Sequence, residues 1–172
     1  GPAYSAYATW QHQLFGVDAD PAAAAGKYGA AELGYWRERL AGIPDEIVVA
    51  VDRPRPAGLS RRAVIADTAV APQVRTRVRA VLEDAGVSEF MAVQACFAVT
   101  LAGLGGGTDL VVGTPAAGRD DPDTRTLVGL LANMVALRTD LSGDPTLTTV
   151  LHTARDAVLE AFAHQDTPIE RL

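Results

Sequence analysis

Leu127 to Asp140 reads LVGLLANMVALRTD, an apolar run that ends in the β-favouring segment Val135 to Thr139. One polar amide, Asn133, interrupts the run just before that strand. Left buried without partners, such an amide costs about 1–3 kcal/mol. Asn133 is therefore expected either to tie the strand start to a neighbouring loop or to line a tunnel. A second β-rich run lies upstream at Asp109 to Thr114, after the glycines Gly105 to Gly107 that stop a helix. Strands alternating with helices in this way specify an α/β layered lobe, a central sheet covered by helices.

Moving outward, Tyr4, Tyr7, Trp10 and Leu14 fall three and four residues apart, the spacing of one helix face. Phe15 to Lys27, rich in Ala, Asp and Gly, reads as a linker. A second helix spans Ala30 to Leu40, with Leu33, Trp36 and Leu40 on one stripe and Gly42 placed to stop it. Glu46 to Val51 is a short β-branched run. In the DRPRPAG segment after it, Pro54 and Pro56 fix φ and remove two amide donors, which predicts an extended connector. Ala63 to Val70 reads as a strand with one buried face, although Asp67 and Thr68 spoil the alternation.

Pro72 opens the next helix, whose buried side is predicted to carry Val74, Val78, Leu82 and Ala85 before Gly86 ends it. Ser88 is placed to cap a long apolar helix from Glu89 to Leu104. Its large residues Phe90, Val93, Phe97 and Val99 point in several directions, which predicts burial on most sides. Asp144 and Pro145 are expected to cap a final helix with Leu147, Leu151, Ala154, Val158 and Phe162 at helical spacing.

At 172 residues with 48% hydrophobic and 21% charged, the chain is sized for one globular domain. Gly1 and Pro2 read as the scar of a cleaved tag, leaving residues 3–172 as the folding unit. A net charge of −6, with Lys27 the only lysine, argues against nucleic-acid binding by phosphate neutralisation. Cys96, the single cysteine, lies within the apolar MAVQACFAV and is expected to be a small core residue. Its lack of a disulfide partner fits a reducing, cytoplasmic setting. No apolar run reaches the ~18 residues of a membrane span.

Candidate chemistry is sparse. Gly103 to Gly107 follows a helix and precedes a strand, the reverse of a phosphate-cradling loop, so a helix stop is the better reading. His12, His152, His164 and Cys96 have no metal-ligand spacing, and Pro122 disrupts any calcium loop built on Asp120, Asp121 and Asp123. His164 stands in a distinctive setting before Gln165, Asp166 and Pro168. The simpler role for it is capping the last helix. Arg119 closes GTPAAGR directly after a strand, where its fork suits a carboxylate pair as well as a polar turn. Arg75 and Arg79, one helical turn apart, set up mild like-charge repulsion; a solvated face is the simpler reading, and a docking acidic partner that relieves the repulsion is the alternative.

The ordered set YSAYATWQ, YWRERLAG, DRPRPAG, EFMAVQACFAVTLAGL, DLVVGTPAAGRDD, LVGLLANMVALRTDLSG and AFAHQDTPIERL resembles nonribosomal peptide synthetase condensation domains. The resemblance runs from Tyr4 to Leu172. It implies a chloramphenicol acetyltransferase-like fold, two lobes around a tunnel, of which this chain looks like the C-terminal lobe. In that family a carrier-bound aminoacyl amine attacks a carrier-bound acyl or peptidyl thioester, both on phosphopantetheine arms, and no cofactor is held by the domain itself.

The family's HHxxxDG motif belongs to the other lobe and is not found in this sequence, so the isolated chain is expected to be inactive. By resemblance, Arg119 matches an arginine that pairs across the lobes with that motif's aspartate. Asn133 and Met134 fall on the VNT signature, and His164, Gln165 and Asp166 on HQDxPFE. These residues are then interlobe or tunnel support, Arg75 and Arg79 an edge for carrier docking, and no residue of the chain is catalytic. Leu130 to Met134 replaces the more usual FFVNT, and Ile169 stands where Phe is common. Those departures admit a noncatalytic relative that recruits a carrier or a tailoring oxygenase. The implied partners are the N-terminal lobe and the donor and acceptor carriers, and a lone lobe is expected to self-associate.

Overall fold

Helix-starting and helix-stopping signals set most of the element boundaries in the computed structural model, which describes residues 3–15, 27–54, 58 and 62–172. Along the chain run α1 (Tyr4–Phe15), α2 (Lys27–Arg39), α3 (Pro72–Ala85), α4 (Glu89–Gly103), β1 (Asp109–Ala116), α5 (Pro122–Arg125), β2 (Asn133–Asp140) and α6 (Leu147–Ala163). A 3₁₀ turn at Ile169–Arg171 follows. The linker reading of residues 16–26, Pro56 of the connector and the tag scar lie outside the described residues.

The chain divides into two units. The first comprises Gly1–Asp45, Val111–Arg138 and Asp156–Leu172; the second comprises Glu46–Leu110 and Thr139–Arg155. Among the described residues, β1 and β2 form one two-stranded sheet. Leu141 N–H bonds Thr108 O at 2.7 Å at one end, and Gly118 lies against Leu131 at the other, so the strands run antiparallel. β2 buries Val135, Ala136 and Leu137 in succession, as a strand covered on both faces does. Helices and sheet together make the expected α/β lobe.

In the first unit α1 packs on α2 at Gly29, where an added Cβ would fall on the Leu14 carbonyl and within 3.3 Å of the Phe15 ring. Phe15, Leu33 and Trp36 are each only 1% exposed there. In the second unit the core joins Leu82, Ala95, Ala98, Leu110, Leu151 and Ala154 with Val87, Ala92, Leu141 and Val150. α3 stops as predicted. Gly86 takes the left-handed φ of 64°, and the Val87 N–H returns to Leu82 O at 2.9 Å. Ser88 then caps α4 by accepting the Met91 N–H at 3.2 Å.

Several expectations need correcting. Val74 and Val78 of α3 are 48% and 44% exposed, leaving Leu82 as that helix's one buried residue. α4 buries only a stripe of Ala92, Gln94, Ala95 and Ala98, while Phe90, Val93, Phe97 and Val99 face outward and Cys96 is exposed rather than core. Apolar residues surround α4 on every side, so hydropathy could not choose its face, and short side chains permit the closest packing. Neither Glu46 to Val51 nor Ala63 to Val70 forms a strand; Val64 and Ile65 are 94% and 85% exposed. β propensity without a neighbouring strand to complete a ladder does not make a strand. At α6 the cap is Thr146, whose hydroxyl accepts the Thr149 N–H, while Asp144 takes a left-handed φ of 55°.

Candidate functional site

The motif residues of the last segment converge in the first unit. On α2, Glu32, Tyr35 and Trp36 stand three and four residues apart and therefore share a face. All three hold His164. Glu32, 7% exposed, places its oxygens 2.9 and 3.0 Å from His164 Nδ1. Tyr35 stacks on the imidazole with ring centroids 3.6 Å apart, and Trp36 Nε1 donates to the His164 carbonyl at 3.0 Å. The imidazole thus reaches back to α2 instead of capping α6, which corrects the expectation drawn from sequence. Glu32 is the residue that sequence reasoning missed; it lies far from His164 in the chain, and only its spacing to Tyr35 and Trp36 hinted at a common face.

Asn133 does tie the start of β2 to a neighbouring loop. Its Nδ2 donates to Gln165 O at 2.7 Å and to Thr167 O at 2.5 Å. The Gln165 side chain in turn donates to Asp120 at 2.5 Å. Arg119 meets carbonyls of the turn that follows it. Its Nη1 donates to Thr124 O at 2.8 Å and Leu127 O at 2.7 Å, and its Nη2 to Gly129 O at 3.3 Å, so one guanidinium shapes the loop between the strands. Met134 is 40% exposed, with its Cε where a side chain at Gly113 would come within 3.2 Å.

A cleft of about 600 Å³ opens in the same unit. Ala6, Tyr7 and Trp10 of α1 form one wall; Asp120, Asp121 and Asp123 of the strand-connecting loop form another, with Gln165 and Asp166 beside them. Asp166 keeps solvent access, yet loss of surrounding water, and then the charges of Glu32 and Asp120, hold its carboxyl above the ordinary range. The Tyr7 hydroxyl is likewise raised, by burial first and Asp166 second.

In the second unit, Arg75 and Arg79 share one carboxylate. Arg75 Nη2 lies 3.0 Å and Arg79 Nη2 2.8 Å from Glu89, so an acid from α4 relieves the repulsion anticipated between them. Those bonds, Arg79's first, draw the Glu89 carboxyl below its usual range. Among the described residues, no group of three His, Cys, Asp or Glu is placed to hold a metal, and no single helix is long and apolar enough to cross a membrane.

Three comparisons bear on this arrangement. The family model described as Condensation domain matches residues 1–172. CymA of Salinispora arenicola (strain CNS-205), a probable nonribosomal peptide synthetase, is 40% identical over 169 residues, which are 98% of this chain and 2% of that protein. The X-domain from teicoplanin biosynthesis superposes with a TM-score of 0.86 at 35% identity, covering 98% of this chain and 36% of that one. The same X-domain in complex with OxyB gives 0.84 at 34%, again over 98% and 36%.

Proposed function

The chain belongs to the condensation-domain family of nonribosomal peptide synthetases, and from that premise we propose that it is the C-terminal lobe of such a domain. The whole domain joins a carrier-bound acyl or peptidyl thioester to a carrier-bound aminoacyl amine. One observation carries this reading: side chains at several of the family's motif positions are used inside the unit. Asn133 holds Gln165 and Thr167, Glu32 holds His164, and Arg119 holds three carbonyls. Such a set supports and shapes a site. It is not a nucleophile, base and anion-stabilising donor converging on one point.

The acid–base work then falls to an HHxxxDG lobe, with phosphopantetheine arms entering as parts of the substrates. Arg75 and Arg79 around Glu89 are offered as one edge for a carrier. The test is an assay of this segment rejoined to its native upstream lobe, with loaded donor and acceptor carriers and the isolated chain alongside. Amide product from the joined protein alone is expected. Product from the isolated chain, or none from the joined protein with intact carriers, overturns the reading.

A second reading rests on the X-domain likeness. That domain has been observed in complex with OxyB, and this chain matches it across nearly its whole length. A recruiting module without chemistry would be supported if the joined protein co-elutes with a tailoring oxygenase from its own assembly line and forms no amide.

A further inference from the structure

The cleft beside α1 borders the segment that the proposed function gives to support, through Gln165 and Asp166, but most of its lining is not used there. Tyr7 and Trp10, three residues apart on one helix, supply an aromatic wall, and Trp10 is 44% exposed. An indole left open beside a cavity is apolar surface without a cover. Among the described residues, every charged lining residue is an acid: Asp120, Asp121, Asp123 and Asp166. Asp120 accepts from Gln165, and Asp121 accepts the Asp123 N–H. The carboxylates of Asp123 and Asp166 meet no donor or cation among the described residues. Arg119, next to Asp120 in the chain, is committed to the carbonyls of Thr124, Leu127 and Gly129.

Carboxylates alone would be satisfied by water, and an aromatic wall alone would accept any apolar group. Side by side they select a cation with a flat or apolar body. A guanidinium meets both demands, laying its face on an indole and pointing its fork at carboxylates, whereas an ammonium is a compact, strongly hydrated charge. A volume of about 600 Å³ holds such a side chain together with its flanking backbone. We propose that this cleft binds an arginine side chain presented by a peptide segment of a partner polypeptide. The inference stands apart from amide formation, since it needs neither carriers nor a second lobe.

The test uses the chain itself, labelled with nitrogen-15, and three capped tripeptides: acetyl-Leu-Arg-Leu-amide, its lysine analogue and its citrulline analogue. Citrulline keeps the shape of arginine without the charge. The indole N–H of Trp10 reports on the cleft, while that of Trp36, bonded to His164 O, serves as an internal control. Saturable shifts at Trp10 are expected with the arginine peptide, weakened about tenfold by citrulline and less by lysine, and weakened further by added salt. Asp166→Asn and Asp123→Asn should each reduce affinity without moving the Trp36 signal. Equal binding of the citrulline peptide would leave only an apolar groove. An unmoved Trp10 signal, or unchanged affinity in both variants, overturns the proposal.

Discussion

At the residue scale, the contact between Glu32 and His164 lies where water reaches little: Glu32 is 7% exposed and both its oxygens lie within 3.0 Å of Nδ1. Glu32→Ala removes that partner and leaves an imidazole N–H without an acceptor, which should lower stability by about 1–3 kcal/mol in urea unfolding. An unchanged midpoint would mean that Tyr35 stacking and the Trp36 bond suffice. Asp166 behaves in the opposite sense, because its carboxyl is raised in the folded chain. Below its unfolded pKa both states are protonated and nothing is lost. Above the folded value both are ionised, and the folded state alone carries the penalty. Asp166→Asn should therefore raise Tm at neutral pH, with the gain fading as pH falls through the carboxylate range; a gain that persists in acid would point to another cause. The sequence singled out His164, Gln165 and Asn133 but could not place Glu32, because a partner on a distant helix leaves no local spacing to read. Arg119 was ambiguous for a related reason: carbonyls that accept from it belong to any loop and carry no residue signature.

Among the elements, the junction of α1 and α2 depends on one absent side chain. Gly29 sits where a Cβ would collide with the Leu14 carbonyl, whereas Gly34 on the same helix has nothing within 4 Å. Gly29→Ala should cost about 1–3 kcal/mol through overpacking, and Gly34→Ala should gain about 0.5–1 kcal/mol through the lost freedom of the unfolded chain. Equal effects in denaturant titrations would show that α1 is not packed as described. Ends of elements proved legible because they rest on local chemistry: Gly86 ends α3, Ser88 starts α4, and Gly105 with Gly107 take positive φ after it. Buried faces were less legible. α4 is apolar all round, and which side is covered depends on what packs there, so hydropathy predicts burial for Phe90 and Val93 although both are exposed. Ala63 to Val70 failed similarly, since strand formation is decided by a pairing partner and not by the segment alone.

For the molecule as a whole, the exposed apolar surface of the second unit sets the expected solution behaviour. Val74, Val78 and Val81 recur at helical spacing on α3, and Phe90, Val93 and Phe97 on α4, each between 44% and 67% exposed. Contiguous surface of this kind drives association in water. A net charge of −6 opposes it, since like-charged copies repel at low ionic strength. Salt screens that repulsion and leaves apolar burial untouched, so the two contributions separate experimentally. Sedimentation velocity of the chain should show mass rising with concentration, and rising further with added salt. Substituting Val93→Ser together with Phe97→Ser keeps the net charge and should return the chain to monomer, with little change in unfolding midpoint because neither residue is buried. A single monomeric species at every concentration and salt level would mean that this face stays wet, and the expectation of self-association would fall with it. If the wild-type chain associates and is dispersed by these two changes, the same pair becomes the variant of choice for the peptide titrations, since it is monomeric and leaves the cleft beside α1 intact.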